Sequence, residues 1–380
     1  MVIRYRVGDG DPFARLDAEL ARRLCPNDLP FPTGAAIGYF GYGLKNVIEK
    51  LPARAHDDLG LPDCWFGFYH DLWVFDHVAR QLYRITVPEP TGGEVPKLPA
   101  PSKVLEKKPA NSNLRANFTY EGYCAAVHRV KEYIVAGDVY QVNLSQRFQC
   151  EVAAPPPEVY AALRQANPAP HAAYLDIGDA QVLSSSPECF LKMTNRQIAT
   201  RPIKGTAPST TNPFDLLQSQ KNNAELLMIV DLERNDLGRV CEFGSVQVPQ
   251  LVAVESYATV HHLVATVTGI LRPGVSHVNA ARTCFPGGSV TGAPKIRAME
   301  IIDELEPHAR GVYCGAIGYF GFNNVSQLNI AIRTVVQQGS RLTFHAGGAI
   351  VADSEPSAEY EETLAKARGI LNAIDQLRFC

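Results

Sequence analysis

Gly34-Ala35-Ala36-Ile37-Gly38-Tyr39-Phe40-Gly41-Tyr42 reads as a glycine-studded apolar strand, and a close copy returns as Gly315-Ala316-Ile317-Gly318-Tyr319-Phe320-Gly321-Phe322. Glycine weakens a strand unless another backbone or a ligand packs closely there. One pair of copies so far apart is no solenoid. It fits two structurally similar sheets within one domain.

Upstream of the first copy, residues 11–25 carry Phe13, Leu16, Leu20 and Leu24 at helical spacing. Downstream, residues 61–87 are strand-rich, and residues 88–118 hold six prolines with little apolar periodicity. That composition predicts a linker or exposed crossover. It divides the chain into an N-terminal portion, 1–87, the connection, 88–118, and a core, 119–380. A helix follows with Thr119 as N-cap, Tyr123, Val127, Val130 and Ile134 on one face, and Gly137 as its stop. Asp138 to Ser145 then reads as a strand. Gln181 to Met193 and Gln197 to Ile203 read as a hairpin turning at Thr194-Asn195-Arg196.

That hairpin leads to Arg201-Pro202-Ile203-Lys204-Gly205-Thr206. Pro202 fixes its own φ and disfavours helix at Arg201. Gly205 can adopt dihedrals closed to other residues and leaves room for a ligand. Lys204 therefore stands where a strand enters a turn, and the fold-back brings Glu188 near Arg201 and a carboxylate close to Lys204. Taken alone, the hexapeptide is better explained by a surface lysine beside a turn.

Ala224 to Leu237 reads as an apolar helix ended by Gly238, with Glu225 on the face of Met228, Ile229 and Leu232. Phe285-Pro286-Gly287-Gly288-Ser289 reads as a flexible loop before Thr291-Gly292-Ala293-Pro294-Lys295, which opens another helix with Thr291 as N-cap. Free N–H groups at such a start suit an anion. Arg333 ends an apolar strand, Leu328 to Ile332. On the last helix Glu359, Glu362 and Lys366 share a face, which for an isolated helix means an exposed ion pair.

The net charge of -3 gives no reason to expect nucleic acid or an anionic membrane as partner. No signal-peptide core is present, and no apolar run reaches the roughly 20 residues that span a bilayer. A cytoplasmic protein is expected. The nine cysteines form no C-x-x-C pair, so zinc ribbons and dithiol motifs are not expected. The collected Glu188, Glu225, Glu359 and Glu362, with Lys204 and Arg333, are rich in oxygen donors and favour Mg²⁺ over zinc. Arg333 and the helix start suit a second anionic group, so a small dicarboxylic acid is the expected substrate.

The stretches Arg201–Thr206, Ala224–Gly238, Phe285–Leu305 and Gly347–Lys366 resemble the chorismate-utilising enzymes, and most closely their aminodeoxychorismate branch. The resemblance runs from Gly34 to the C-terminus. It implies a single α/β (α+β) domain of two large antiparallel sheets packed as a sandwich with helices outside, an N-terminal portion shortened before Gly34, Mg²⁺, and chorismate. Anthranilate synthases resemble P-I-A-G-T where this chain has Lys204; in the aminodeoxychorismate branch that lysine is the nucleophile. Glu188 is similar to the general acid/base. Isochorismate and salicylate synthases carry a water-activating lysine where this chain has Gln141, and an amide is no base near neutral pH. The pair implies ammonia, not water, and amination at C4, in the route to para-aminobenzoate and folate. By the same resemblance Glu225 and Glu362 match Mg²⁺ ligands, with Glu359 close by. Gly205, Thr206, Thr291, Gly292, Tyr313, Arg333, Gly347, Gly348 and Ala349 match substrate-contacting positions, and His262 the active-site histidine. The family reads G-G-G or G-A-G where this chain has Gly347-Gly348-Ala349, and Asn222 stands at a position often acidic. No glutaminase is encoded, so the ammonia is expected from a separate glutamine amidotransferase subunit. Anthranilate synthase component I and a non-catalytic chorismate-binding subunit are the alternatives.

Overall fold

The computed structural model describes residues 1–88, 114–257 and 260–377. Most of the connection expected over 88–118 lies outside the described residues.

The strands are β1 (Val2–Tyr5), β2 (Ala35–Phe40), β3 (Cys64–Tyr69), β4 (Asp71–Asp76), β5 (Gln81–Thr86), β6 (Arg115–Ala116), β7 (Gln141–Glu151), β8 (His171–Asp176), β9 (Gln181–Ser186), β10 (Cys189–Thr194), β11 (Gln197–Arg201), β12 (Ile203–Pro208), β13 (Gln247–Ser256), β14 (Val260–Ile270), β15 (Gly292–Ala293), β16 (Ala316–Gly321), β17 (Val325–Ile330), β18 (Thr334–Gln338) and β19 (Arg341–Ile350). The helices are α1 (Pro12–Ala21), α2 (Lys45–Ile48), α3 (Tyr120–Val135), α4 (Pro156–Ala166), α5 (Pro213–Gln218), α6 (Gln220–Gly238), α7 (His277–Cys284), α8 (Lys295–Leu305) and α9 (Pro356–Gln376).

A ten-stranded sheet runs β1-β3-β2-β16-β17-β10-β11-β14-β12, with β13 on β14. A seven-stranded sheet runs β15-β7-β19-β18-β9-β8, with β6 on β7, while β4 and β5 form a separate pair. The strand pairings are antiparallel, which makes the fold α+β. Between the sheets, Tyr39, Trp65 and Ile317 of the first pack with Leu175, Val182 and Val336 of the second. Beyond the first sheet's other face, Phe13 and Leu16 of α1, Val278 of α7 and Met299 of α8 join the largest core. Beyond the second, Phe148, Leu342 and Phe344 meet Leu163 of α4 and Ile370 and Ile374 of α9. This is the sandwich with helices outside.

The two similar strands do not belong to separate sheets. β2 and β16 are direct antiparallel neighbours, with Gly38 opposite Gly318. A Cβ at Gly38 would stand 1.9 Å from the Trp65 carbonyl oxygen, and one at Gly318 2.0 Å from that of Gln327. The glycines are there because neighbouring backbone crowds them.

Other expectations change in detail. Leu24 lies beyond α1 and is 51% exposed, because that helix stops at Ala21. The stretch Gln181 to Met193 is not one hairpin arm. It breaks at Pro187-Glu188, leaving β9 in the seven-stranded sheet and β10 in the ten-stranded one. The turn at Asn195 stands, with φ +54, and β10 pairs β11 around it.

Candidate active site

Two crossings between the sheets lie side by side. Pro187-Glu188 joins β9 to β10, and Ala331 to Arg333 joins β17 to β18. The expected strand over Leu328 to Ile332 therefore ends at Ile330, and Arg333 sits in the crossing with φ +48. Left-handed backbone at a bulky residue is uncommon and often marks function. Glu188 is 4% exposed. Burial pushes its carboxyl pKa up, opposed by Ser289, Lys204 and Arg333. A carboxyl whose protonated form is favoured by burial is suited to act as a general acid.

Lys204 lies on β12, where pairing with β14 slips between Lys204 and Thr206. Gly205 occupies the slip at φ +72, forming a bulge of the kind that re-aims a side chain. The Asn222 side chain packs on it; an added Cβ would meet its amide carbon at 2.9 Å. Burial pushes the Lys204 amine down; Glu225, Glu188 and Glu362 pull it up, and Lys366 pushes it down. The neighbouring cation that depresses it is thus Lys366, which the sequence offered only as half of a surface ion pair.

Glu225 is half-buried, near the start of α6. That helix begins at Gln220, earlier than its apolar pattern, with Ser219 as N-cap. On α9, Glu359 is 3% exposed and accepts from the Ser354 hydroxyl at 2.7 Å. Glu362 is exposed and pairs with Lys366 Nζ at 2.7 Å, and Lys366 also donates to the Gly347 carbonyl at 2.8 Å. The three residues are therefore not simply an exposed face. Both glutamates stand over Gly348, where an added Cβ would lie 3.2 Å from each carboxylate. Gly347 is pressed against β7, 2.5 Å from its would-be Cβ to the Leu144 carbonyl, and Ala349 pairs with Asn143.

His262 is 2% exposed, opposite Thr206, whose hydroxyl lies 2.9 Å from Nδ1. Burial, with Arg333 adding, pushes its pKa down to about 4. It is a neutral imidazole at physiological pH. Its neighbour His261 faces Ser256 instead, at 2.8 Å.

The stretch Phe285 to Gly292 is buried, not a flexible loop. Thr291 is not the helix cap. Its hydroxyl donates back to the carbonyls of Gly287 and Gly288, and α8 begins at Lys295 with Pro294 in the cap position. Gly292 pairs with Val142 and Ala293 with Gln141. The Gln141 side chain is fully buried, and neither of its polar atoms has a partner among the described residues. Tyr313 is 6% exposed; its ring stacks on His345 at 4.9 Å and lies beside Arg310. Those contacts place it on the side of the Arg310 cluster.

A second grouping, with members drawn from far apart in the chain, lies outside the residues singled out above. His56, Asp58 and His308 bring ligand atoms within 4.8 Å of one another. Asp58 pairs with Arg147 and Arg341, at 2.5 and 2.7 Å, so both of its carboxylate oxygens already face a guanidinium group. Among the described residues, no helix is long and apolar enough to cross a membrane.

The family model of chorismate binding enzymes matches residues 4–372 of this chain. The chain belongs to that family. It is 43% identical over 376 residues to aminodeoxychorismate synthase component 1 of Klebsiella aerogenes, covering 96% of this chain and 83% of the relative. It is 40% identical over 390 residues to anthranilate synthase component 1 of Thermus thermophilus, covering 97% and 84%. Among solved structures, anthranilate synthase component I of Streptococcus pneumoniae superposes with a TM-score of 0.86 at 33% identity, covering 97% of this chain and 89% of that one. The isochorismate synthase of Bacillus anthracis shares the fold, at a TM-score of 0.70 and 20% identity. The chain is thus a chorismate-utilising enzyme of the anthranilate and aminodeoxychorismate synthase type. Overall identity does not separate those two reactions.

Proposed function

We propose that this enzyme aminates chorismate at C4, giving 4-amino-4-deoxychorismate, with ammonia delivered by a separate glutamine amidotransferase subunit. The observation that carries the reading is Lys204, desolvated on a bulge within electrostatic reach of a buried Glu188. Anthranilate synthases have alanine at that position. Gln141, in place of a basic lysine, supports ammonia over water as the added group.

The neutral Lys204 amine bonds to C2 of the ring, the double bond shifts, and the C4–O bond breaks. Glu188 gives its proton to the departing hydroxyl, which leaves as water. Ammonia then bonds to C4, the double bond returns, and the C2–N bond breaks to release Lys204 as the neutral amine, while the new C4 ammonium gives a proton back to Glu188. Burial favours both starting states: an amine without its proton and a carboxyl with one. Because the two groups interact, they titrate as a pair. His262, as neutral imidazole, holds the Thr206 hydroxyl, and Arg333 suits a substrate carboxylate.

The acidic residues fit Mg²⁺. Glu225, Glu359 and Glu362 offer oxygen donors alone, and Gly348 leaves the space under two of them open. When bound, Mg²⁺ supplies positive charge against a substrate carboxylate. Glu225 and Glu362 would hold it, with Glu359 in support.

The test is incubation of the purified chain with chorismate, Mg²⁺ and ammonium, followed by mass and NMR analysis. The expected product is 4-amino-4-deoxychorismate. Fluorescent anthranilate as the main product would instead assign the anthranilate reaction, and turnover with glutamine alone would remove the need for a partner.

A further inference from the structure

Arg310 and Glu306 form an ion pair at 2.7 Å, with side chains 1% and 3% exposed. Replacing such a pair by well-packed apolar residues often costs no stability, so stability alone does not account for it. Its other bonds all lead to one place. Arg310 Nη1 donates to the Val290 carbonyl at 2.9 Å, and Nη2 to the Asn143 carbonyl at 2.6 Å. Glu306 accepts from the Ser145 N–H and hydroxyl, each at 2.8 Å. The guanidinium also lies over the Tyr42 ring, 4.8 Å from its centroid, and beside Tyr313.

Val290 belongs to the buried stretch that brings Ser289 beside Glu188, and Asn143 lies two residues from Gln141. These segments meet directly through Asn143 N–H to the Thr291 carbonyl at 2.8 Å and Tyr140 N–H to that of Ala293 at 2.7 Å. We propose that the Glu306–Arg310 pair is a positioning device, stapling the 287–293 stretch to β7 so that Gln141 and Ser289 hold their places at the reacting ring. A planar fork reaches two carbonyls from one side chain; an ammonium on a flexible stem does not. The buried, unpartnered Gln141 amide marks the second site consequence. Leaving such a group without a partner is costly, so its position is imposed by the backbone, and a ligand is its natural partner. The kinetic part of this inference rests on the chorismate reading above.

The test uses the full chain carrying Glu306→Leu with Arg310→Met, and separately Arg310→Lys. The folded double variant should exchange amide hydrogens in a peptide covering 138–145 about 10-fold faster or more, with the β18 region unchanged. Its kcat on chorismate should fall about 100-fold, as for a displaced site, while KM moves less than about threefold. Arg310→Lys, which keeps the charge, should lie between. Wild-type exchange in that peptide, or faster exchange with unchanged kcat, in whichever variant folds, overturns the proposal. If the wild type does not consume chorismate, the functional reading fails, and exchange in the 138–145 peptide alone decides whether the staple exists.

Discussion

Glu188 and Arg333 sit in crossings that run between the two sheets in opposite directions, and the crossings are bonded together. The Glu188 carbonyl accepts from Ile330 N–H at 3.1 Å, and the Arg333 carbonyl from Ser185 N–H at 3.0 Å. Arg333 also opposes the burial that raises the Glu188 pKa. Removing its charge in Arg333→Gln should raise that pKa further. Glu188 then stays protonated to higher pH, and the alkaline limb of the kcat profile moves up. Chorismate KM should rise about 10-fold or more from the lost charge-assisted contact. An alkaline limb that stays put or moves down would remove Arg333 as the electrostatic partner of Glu188.

Lys204→Ala should abolish any lysine-linked adduct and cut formation of the C4-amino product at least about 100-fold, leaving the fold intact. Slow ammonia addition, including at C2, is the expected residue, because the motif then reads as in the anthranilate branch. Intact-protein mass spectrometry of the wild type with chorismate and no ammonia reads the adduct directly. Normal C4 amination by the variant would reduce Lys204 to an electrostatic contact.

Glu225→Gln and Glu362→Gln each keep shape and delete one charge. Activity should then need about 10-fold more Mg²⁺ or beyond. Titration calorimetry with Mg²⁺ gives the same shift without turnover. Two variants with unaltered Mg²⁺ dependence would mean that these glutamates serve only Lys204 and Lys366.

Part of the fold around this site is readable locally. The turn at Asn195, the Thr119 cap with its Gly137 stop, and the glycine after Lys204 are short-range signals, and backbone sterics fix them. What was not readable depends on pairing across the fold. Pro187 marks a break within Gln181 to Met193, but nothing local says that the two halves enter different sheets. Thr291 has the composition of a cap, yet its hydroxyl turns back to Gly287 and Gly288. Lys366 was visible as the i+4 partner of Glu362; its reach to the Gly347 carbonyl and its influence on Lys204 were not.

Gly205→Ala should damage Lys204 without touching it. The position needs φ +72, and a methyl would meet Asn222. The expected loss of stability is about 1–2 kcal/mol, with kcat falling about 10-fold or more as the bulge relaxes. Asn222→Ala in the same chain should restore part of the activity by clearing the clash. Equal kcat in Gly205→Ala and wild type would show that the bulge does not aim the amine.

Glu233, 7% exposed, accepts a hydrogen bond from Thr200, and burial, with Glu188 and Asp236 adding, pushes its pKa up to about 8. The folded chain therefore keeps a proton that the unfolded chain loses near its ordinary value of 4.5. The resulting stability is complete below that value and is lost as pH rises through about 8. Glu233→Gln cannot lose it. Urea unfolding at pH 5 and pH 8.5 should show the wild type losing more stability than the variant, by on the order of a few kcal/mol. Parallel losses in both would place an ordinary carboxylate at this position.

The side-by-side lie of β2 and β16 sets an order of events during synthesis. The first three strands of the ten-stranded sheet can pair as soon as residue 69 is free, but the β2 edge meets its neighbour only after residues 316–321 appear. At about 5–20 residues per second that interval is on the order of 12–50 s. Throughout it, an apolar, glycine-lined edge stands open, the kind of surface that recruits stray strands. Nascent chains released before residue 316 should therefore be chaperone clients, while those stalled only after residues 316–330 have left the ribosome should already be protected at Gly38.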